Sequence, residues 1–504
     1  MYTERIRYPQ LLNKVMTADQ AVESIQDGMT VGMSGFTRAG DCKAVPQALA
    51  RKASTGRLKL NLLTGASLGH DSDAVMAQAG VLAKRMPFQV DPTLRKKINQ
   101  GEVLFIDQHL SLTAEQLRSG HIPAIDVAVV EAVAITAEGA IVPSTSVGNS
   151  ASFVQQAKQI IVEINLSMPL ALEGLHDIYV PEARPGRQPI ALTQVGQRIG
   201  STAIAIDPER IVGIIITHTP DSYSTVTPPD GETQAIAGHI VRFLEQEVAQ
   251  GKLGPSLLPL QVGIGNIANA VTYGLLDSPF HDMTMYSEVL QDSAIALLDS
   301  GQLSFASASS LTLSAEKTQH FLENLEQYRD KVVLRPQEIS NHPELVRRLG
   351  VIAINTALEF DIYGNVNSTH VCGTQMMNGI GGSGDFARNA HLAFFVSKSV
   401  AKNGDISSVV PMVSHVDHTE HDVDILVTEW GLADLRGLAP RERALLVIEH
   451  CAHPDYRTEL LDYYQRACKR GGHTPHILHE ALSWHDRFQA TGSMHVAQPE
   501  LEMV

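Results

Sequence analysis

The chain has 504 residues, 55 acidic against 39 basic side chains, and a formal net charge of −16. That length suggests about two to four domains, and 44% hydrophobic against 19% charged residues excludes a disordered chain. The acidic balance, with no run of Lys or Arg, excludes a nucleic-acid surface built on clustered cations, but leaves room for a phosphorylated small molecule.

The opening stretch MYTERIRYPQLLNKVM has no uninterrupted apolar segment, and Glu4 and Pro9 oppose a transit peptide. No segment approaches about 18 consecutive apolar residues, so no membrane partner is expected and a cytoplasmic location is. Cys42, Cys372, Cys451 and Cys468 lack CxxC spacing and read as thiols of a reducing compartment. A helix is predicted over 17–27, a strand over 29–32 and a helix over 45–51. Strands follow over 58–63, 103–106, 127–130, 159–164, 203–206 and 211–217. Apolar, β-branched strands alternating with helices give an α/β fold with mainly parallel sheets covered on both faces.

The second half echoes the first. MTVGMSGF (29–36) resembles PLQVGIGN (259–266), KLNLLTGAS (59–67) resembles DMTMYSEV (282–289), and EVLFIDQHLS (102–111) resembles QLSFASASSLT (302–312). SVGNSASF (146–153) matches GIGGSGDF (379–386) without a gap. Four matches in one order indicate a duplicated α/β domain. The segment 217–234, rich in Pro, Ser, Thr and Asp, marks the boundary, giving an N-terminal domain 1–225 and a C-terminal domain 226–504. Beyond about residue 443 the pattern is helical, which predicts C-terminal helices packed on the second domain.

In a parallel α/β sheet, ligands bind where strands end and loops enter helices. VGIGNIANAV (262–271) has the spacing Gly263-x-Gly265-x-x-Ala268, with Glu288 twenty residues later, so a dinucleotide site stays open. MNGIGGSGDFAR (377–388) carries glycines at 379, 381, 382 and 384, a density that lets backbone amides approach an oxyanion or a pantetheine chain. Glu288, predicted at a strand's carboxyl end, is placed for a nucleophile or base, although position alone favours a solvated or helix-capping role. His415, His418 and His421, with Asp417 and Asp422, lie in an irregular stretch without an HExxH pattern. They read as hydrogen-bonded loop histidines, and no metal is expected.

At these residues the sequence is similar to a known family. SGFTRAG (34–40), LLTGAS (62–67), SVGNS (146–150), GIGNIANAV (263–271), MYSEVLQD (285–292), FASASS (305–310), RPQEISN (335–341), DIYGNVNST (361–369), SHVDH (414–418) and GLADLRGL (431–438) resemble the acetyl-CoA hydrolase/transferase family. That family includes succinate:acetate and propionate:succinate CoA-transferases, and the resemblance runs from about residue 5 to 495. It implies two CoA-transferase-type (NagB/RpiA-like) domains, a homodimer, an acyl-CoA and a small carboxylate as partners, and coenzyme A as substrate with no cofactor. It implies Glu288 as a nucleophile forming an acyl-glutamyl anhydride and then a glutamyl-CoA thioester, with Ile264 and Gly382 as oxyanion donors. By the same resemblance, Gly263, Ile264, Gly265, Asn266, Ile267, Asn378, Gly382 and Lys402 contact CoA, and Ser67, Asn341 and Glu429 line the site. The chain reads TEWG where the family pattern is TEQG, which sets Trp430 after Glu429 and bears on acceptor choice, as does the linker 217–229. Transfer is favoured over hydrolysis, which would use the same site with water as acceptor. The rivals of another class are an NAD-dependent oxidoreductase and a non-catalytic ligand sensor.

Overall fold

The computed structural model describes residues 2–496. The first half forms a seven-stranded parallel sheet. Its strands are β1 (Thr30–Met33), β2 (Leu60–Leu63), β3 (Leu82–Met86), β4 (Leu104–Phe105), β5 (Val127–Ala132), β6 (Gln159–Asn165) and β7 (Ile211–Thr217). Their spatial order is β4-β3-β2-β1-β5-β6-β7. The second half supplies β8 (Leu260–Val262), β9 (Met283–Tyr286), β10 (Leu303–Ala308), β11 (Val332–Leu334), β12 (Ile352–Thr356), β13 (Leu392–Val396), β14 (Ile425–Thr428) and β15 (Gly431–Asp434). These run β11-β10-β9-β8-β12-β13-β14-β15, parallel except for β15, which is antiparallel to β14. Apart from that edge strand, the two orders are the same.

The helices that matter here are α1 (Val45–Thr55), α2 (Ser150–Gln156), α3 (Gly231–Ala249), α4 (Asn266–Gly274), α5 (Ser383–Ala387), α6 (Pro440–Cys451), α7 (Pro454–Arg470) and α8 (Ser483–Thr491). The matched segments 146–153 and 379–386 run into α2 and α5, which hold equivalent places in the crossovers from β5 to β6 and from β12 to β13. The third sequence match is out of register by one strand: in strand order, β10 corresponds to β3, and β4 to β11. Strand β3 escapes the apolar pattern because it reads LAKRM, yet Arg85 is buried there, paired with Asp73 at 2.9 Å. The predicted strand 203–206 is a single antiparallel bridge between Ile204 and Ile141. The predicted helix 17–27 reduces to Ala18–Ala21 followed by a 3₁₀ turn, Val22–Ser24.

Strand β5 is buried along its whole length and β6 from Ile160 onward, as β-branched runs covered on both faces must be. One hydrophobic cluster runs from Val130 and Val162 of the first sheet through Met283 to Phe394 and Val427 of the second, so the halves share a core. Helix α3 begins where the Asp230 side chain caps the Thr233 amide, and its Phe243 meets Phe394 edge-on, with ring centroids 5.6 Å apart. The C-terminal helices bury Val447, Tyr456, Leu460 and Trp484 against Phe395 and Leu426. The link between the halves is tied back to the first. Asp221 accepts from the Gly40 amide at 3.1 Å and pairs with buried Lys43 at 2.6 Å.

Candidate active site

Glu288 follows β9, at the carboxyl edge of the second sheet. Its carbonyl accepts from the amides of Ser309 (2.8 Å) and Ser310 (3.1 Å), which fixes the residue between neighbouring strand ends. Asn341 closes the short helix Gln337–Ser340, and its Nδ2 donates to Glu288 Oε1 at 2.5 Å. That short helix is held from the first half: the Gln337 amide donates to the Gly148 carbonyl (2.9 Å) and its side chain to the Leu110 carbonyl (3.0 Å). Gly382, at the start of α5, lies against the same carboxylate.

These groups open on a cavity of about 110 Å³ between the halves. Of the residues singled out from sequence, Gly263, Ile264, Glu288, Asn378 and Gly382 line it, and Asn341 stands behind Glu288. The opposite wall comes from the first half: Phe36 and Thr37 after β1, Ala66 after β2, Phe88 after β3 and Leu110 after β4. None of these five residues was singled out from sequence, although Phe36, Thr37 and Ala66 lie in the motifs SGFTRAG and LLTGAS. The duplication held the signal, because loops equivalent to those of the second half occur in the first and face them.

The Gly-rich loop is stitched to the first half. The Ile380 amide donates to Asp107 at 2.8 Å, Arg95 donates to the Met377 carbonyl at 2.6 Å, and Asp385 accepts from the Ser111 amide (3.0 Å) and hydroxyl (2.6 Å). Burial pushes the Glu288 carboxyl up to about 7; the Asn341 amide opposes that rise and the Asp385 charge adds to it. Asp385 is likewise raised to about 7 by burial, against the Ser111 hydrogen bonds, and Asp107 to about 6. Asn378 Oδ1, on the cavity wall, is buried without a hydrogen-bond partner among the described residues, which marks that wall as a place for a polar ligand.

The other expected residues sit around this centre without lining the cavity. Gly265 caps α4, its amide 3.2 Å from Gln291 Oε1, and Asn266 and Ile267 begin the helix. Ser67 is buried beside Ala66, its carbonyl accepting from the Arg38 amide at 3.1 Å. Glu429 accepts from the Ser399 amide at 2.8 Å and from its hydroxyl. Lys402 is exposed, its ammonium 4.8 Å from the Phe488 ring centre. Trp430 packs against His453 and under Arg457 and stays 46% exposed, so the indole does not narrow this cavity. His418 bonds Ser383 Oγ at 3.0 Å and His415 lies 3.4 Å from Asp417, both in irregular chain, whereas His421, 3.3 Å from Thr419, sits in the 3₁₀ turn Glu420–Asp422 and not in the expected loop.

Comparison with known proteins follows the same outline. The model of the acetyl-CoA hydrolase/transferase N-terminal domain matches residues 1–216, and that of the C-terminal domain matches 318–464. The succinyl-CoA:acetate CoA-transferase of Clostridium kluyveri is 52% identical, over 97% of this chain and 92% of that protein. The propanoyl-CoA:succinate CoA transferase of Escherichia coli is 47% identical, over 95% and 98%. The acetyl-CoA hydrolase of Kluyveromyces lactis is 44% identical, over 98% of each. Among solved structures, the 4-hydroxybutyrate CoA-transferase of Porphyromonas gingivalis shares the fold, with a TM-score of 0.63 at 21% identity over 92% of this chain and all of that one.

Proposed function

Because this chain belongs to the acetyl-CoA hydrolase/transferase family, we propose that it moves CoA between a short acyl-CoA (acetyl-, propionyl- or succinyl-CoA) and a small carboxylate, with Glu288 as the covalent relay. The observation that carries this reading is the Glu288 carboxylate facing a cavity between the halves, with Asn341 donating to it at 2.5 Å. The carboxylate attacks the thioester carbonyl and expels CoA thiolate, leaving an acyl-glutamyl anhydride. The thiolate then attacks the glutamyl carbonyl, releasing the acyl acid and leaving a glutamyl-CoA thioester. An acceptor carboxylate runs the two steps in reverse.

A carboxylate is a weak nucleophile, so positioning and oxyanion donors must lower the barrier; one donor is worth about 10²–10³ in rate. Ile264 and Gly382 flank the cavity, and their amides are assigned that role. The glycine turn at 263–265, Asn266, Ile267, Asn378 and Lys402 form the CoA side; Ser67, Asn341 and Glu429 are assigned to the surroundings of the active site. Coenzyme A enters as substrate, and no resident metal or cofactor belongs to this scheme. The protein acts as a cytoplasmic homodimer of two-domain subunits divided near residues 225 and 226. Among the described residues no helix is long and apolar enough to cross a membrane.

The test is intact mass after incubation with acetyl-CoA. A CoA-sized adduct that borohydride removes, absent from Glu288→Ala, supports the scheme; an unmodified chain with full turnover refutes it. The hydrolase of Kluyveromyces lactis makes water the second acceptor to measure, so acetate release should be compared with and without succinate. Bound nicotinamide absorbance would instead revive the dinucleotide reading of Gly263 and Gly265.

A further inference from the structure

Asp385 has no part in the scheme above, yet it is fully enclosed one side chain away from Glu288. The two carboxylates share one amide: Asn341 Nδ2 lies 2.5 Å from Glu288 Oε1 and 3.5 Å from Asp385 Oδ2. An amide carries two N–H groups on one nitrogen, so this orientation serves both acids, whereas a flipped amide would aim its oxygen at both. Asp385 is held from the other half by Ser111, whose amide and hydroxyl both donate to it. All these partners are donors, an arrangement that suits an ionised acceptor.

We propose that Asp385 is a positioning residue: it fixes the Asn341 amide toward Glu288, and its charge makes the Glu288 carboxylate the stronger nucleophile. This rests on the reading of Glu288 as the covalent relay. Two negative charges sharing a desolvated site repel, and acylation of Glu288 removes one of them. The repulsion is therefore present in the free enzyme and relieved in the anhydride and thioester, which favours the attack. Around the pair stand Asp107, bonded to the Ile380 amide, His109 against Gly384, and His418 on Ser383, with Asp417 and Arg388 beyond. Among the described residues none of these five hydrogen-bonds either carboxylate. Asp385 is the charged group that acts on Glu288 directly.

The experiment is the pH profile of kcat/KM for acetyl-CoA in two variants, run beside the adduct assay on the wild type and Glu288→Ala. Asp385→Asn keeps the shape and removes the charge. Its acid limb should move down by about one pH unit, and its plateau should fall on the order of tenfold. Ser111→Ala keeps the carboxylate but removes one donor that holds it ionised; because the fully active state has both acids ionised, that state is reached at higher pH, so the acid limb should move up with the plateau retained. A structural role alone would lower rates without moving the limbs in opposite directions. If Asp385→Asn does not fold, the Ser111→Ala limb decides. Unmoved limbs, or a downward shift in Ser111→Ala, overturn the proposal while a wild-type Glu288 adduct leaves the relay standing; absence of the adduct removes both.

Discussion

An ideal Cβ built on Gly382 would stand 1.2 Å from Oε1 of Glu288 and 2.2 Å from Nδ2 of Asn341. The backbone of Gly382 has φ −94°, open to any residue, so glycine is required here by space and not by conformation. Gly382→Ala should therefore fold and melt near the wild type while its carboxylate is displaced. A shift of about 1 Å is enough to cost roughly 10²-fold in kcat/KM. Wild-type turnover in Gly382→Ala would place the reacting carboxylate elsewhere.

Gly265 is the reverse case. A Cβ there would meet nothing within 4 Å, but φ +110° and ψ 179° lie in a region that L side chains rarely adopt. Gly265→Ala should lower stability by about 1–3 kcal/mol locally. Because the turn leads from Ile264 into α4, KM for acyl-CoA should rise more than kcat falls. Steady-state kinetics together with thermal melting checks both parts.

Glu288 holds its proton up to about pH 7, mainly because burial disfavours the charge. Turnover should fall as pH drops below about 7, since the protonated acid is no nucleophile. For stability, the folded chain binds this proton more tightly than the unfolded chain does. The contribution is therefore full below the ordinary carboxyl range and is lost as pH rises through about 7. Glu288→Gln should be inactive yet more stable than wild type at pH 8, by on the order of 1–3 kcal/mol, with the gap closing toward pH 4.5. Denaturant unfolding at the two pH values is the measurement, and a gap that does not change with pH would contradict the assignment.

Lys402 is assigned to CoA rather than to the acid, and its exposed position beside Phe488, outside the cavity, suits a group that meets the distal part of the ligand. Lys402→Ala should raise KM for several acyl-CoAs by a similar factor and leave the order of acetate, propionate and succinate as acceptors unchanged. A reordered acid preference would move Lys402 to the acyl side.

Lys43 is buried against Glu131 and Asp221, each at 2.6 Å, and Asp41 at 3.3 Å. Lys43→Met would leave three enclosed carboxylates without their cation. A loss of about 3–5 kcal/mol in unfolding free energy is expected. The linker should loosen with it, because Asp221 holds both Lys43 and the Gly40 amide, and limited proteolysis around 217–229 would report that.

The amino-acid sequence determined the alternation of apolar strands and helices, the duplication, and the clustering of glycines at strand ends, because burial and backbone freedom are local demands. It marked Glu288 by position and by its motif, but position alone favoured a capping or solvated glutamate. Strand β3 stayed hidden because Lys84 and Arg85 break its pattern, and only the fold supplies Asp73 as the partner that makes Arg85 buryable. Tertiary structure alone decided what surrounds Glu288. Asn341 stands 53 residues away in the chain, and Ser111, which anchors Asp385, is 274 residues from it. A cavity built from two halves has no period or spacing in either half, since it exists only once the equivalent loops of two sheets are brought face to face over a shared core.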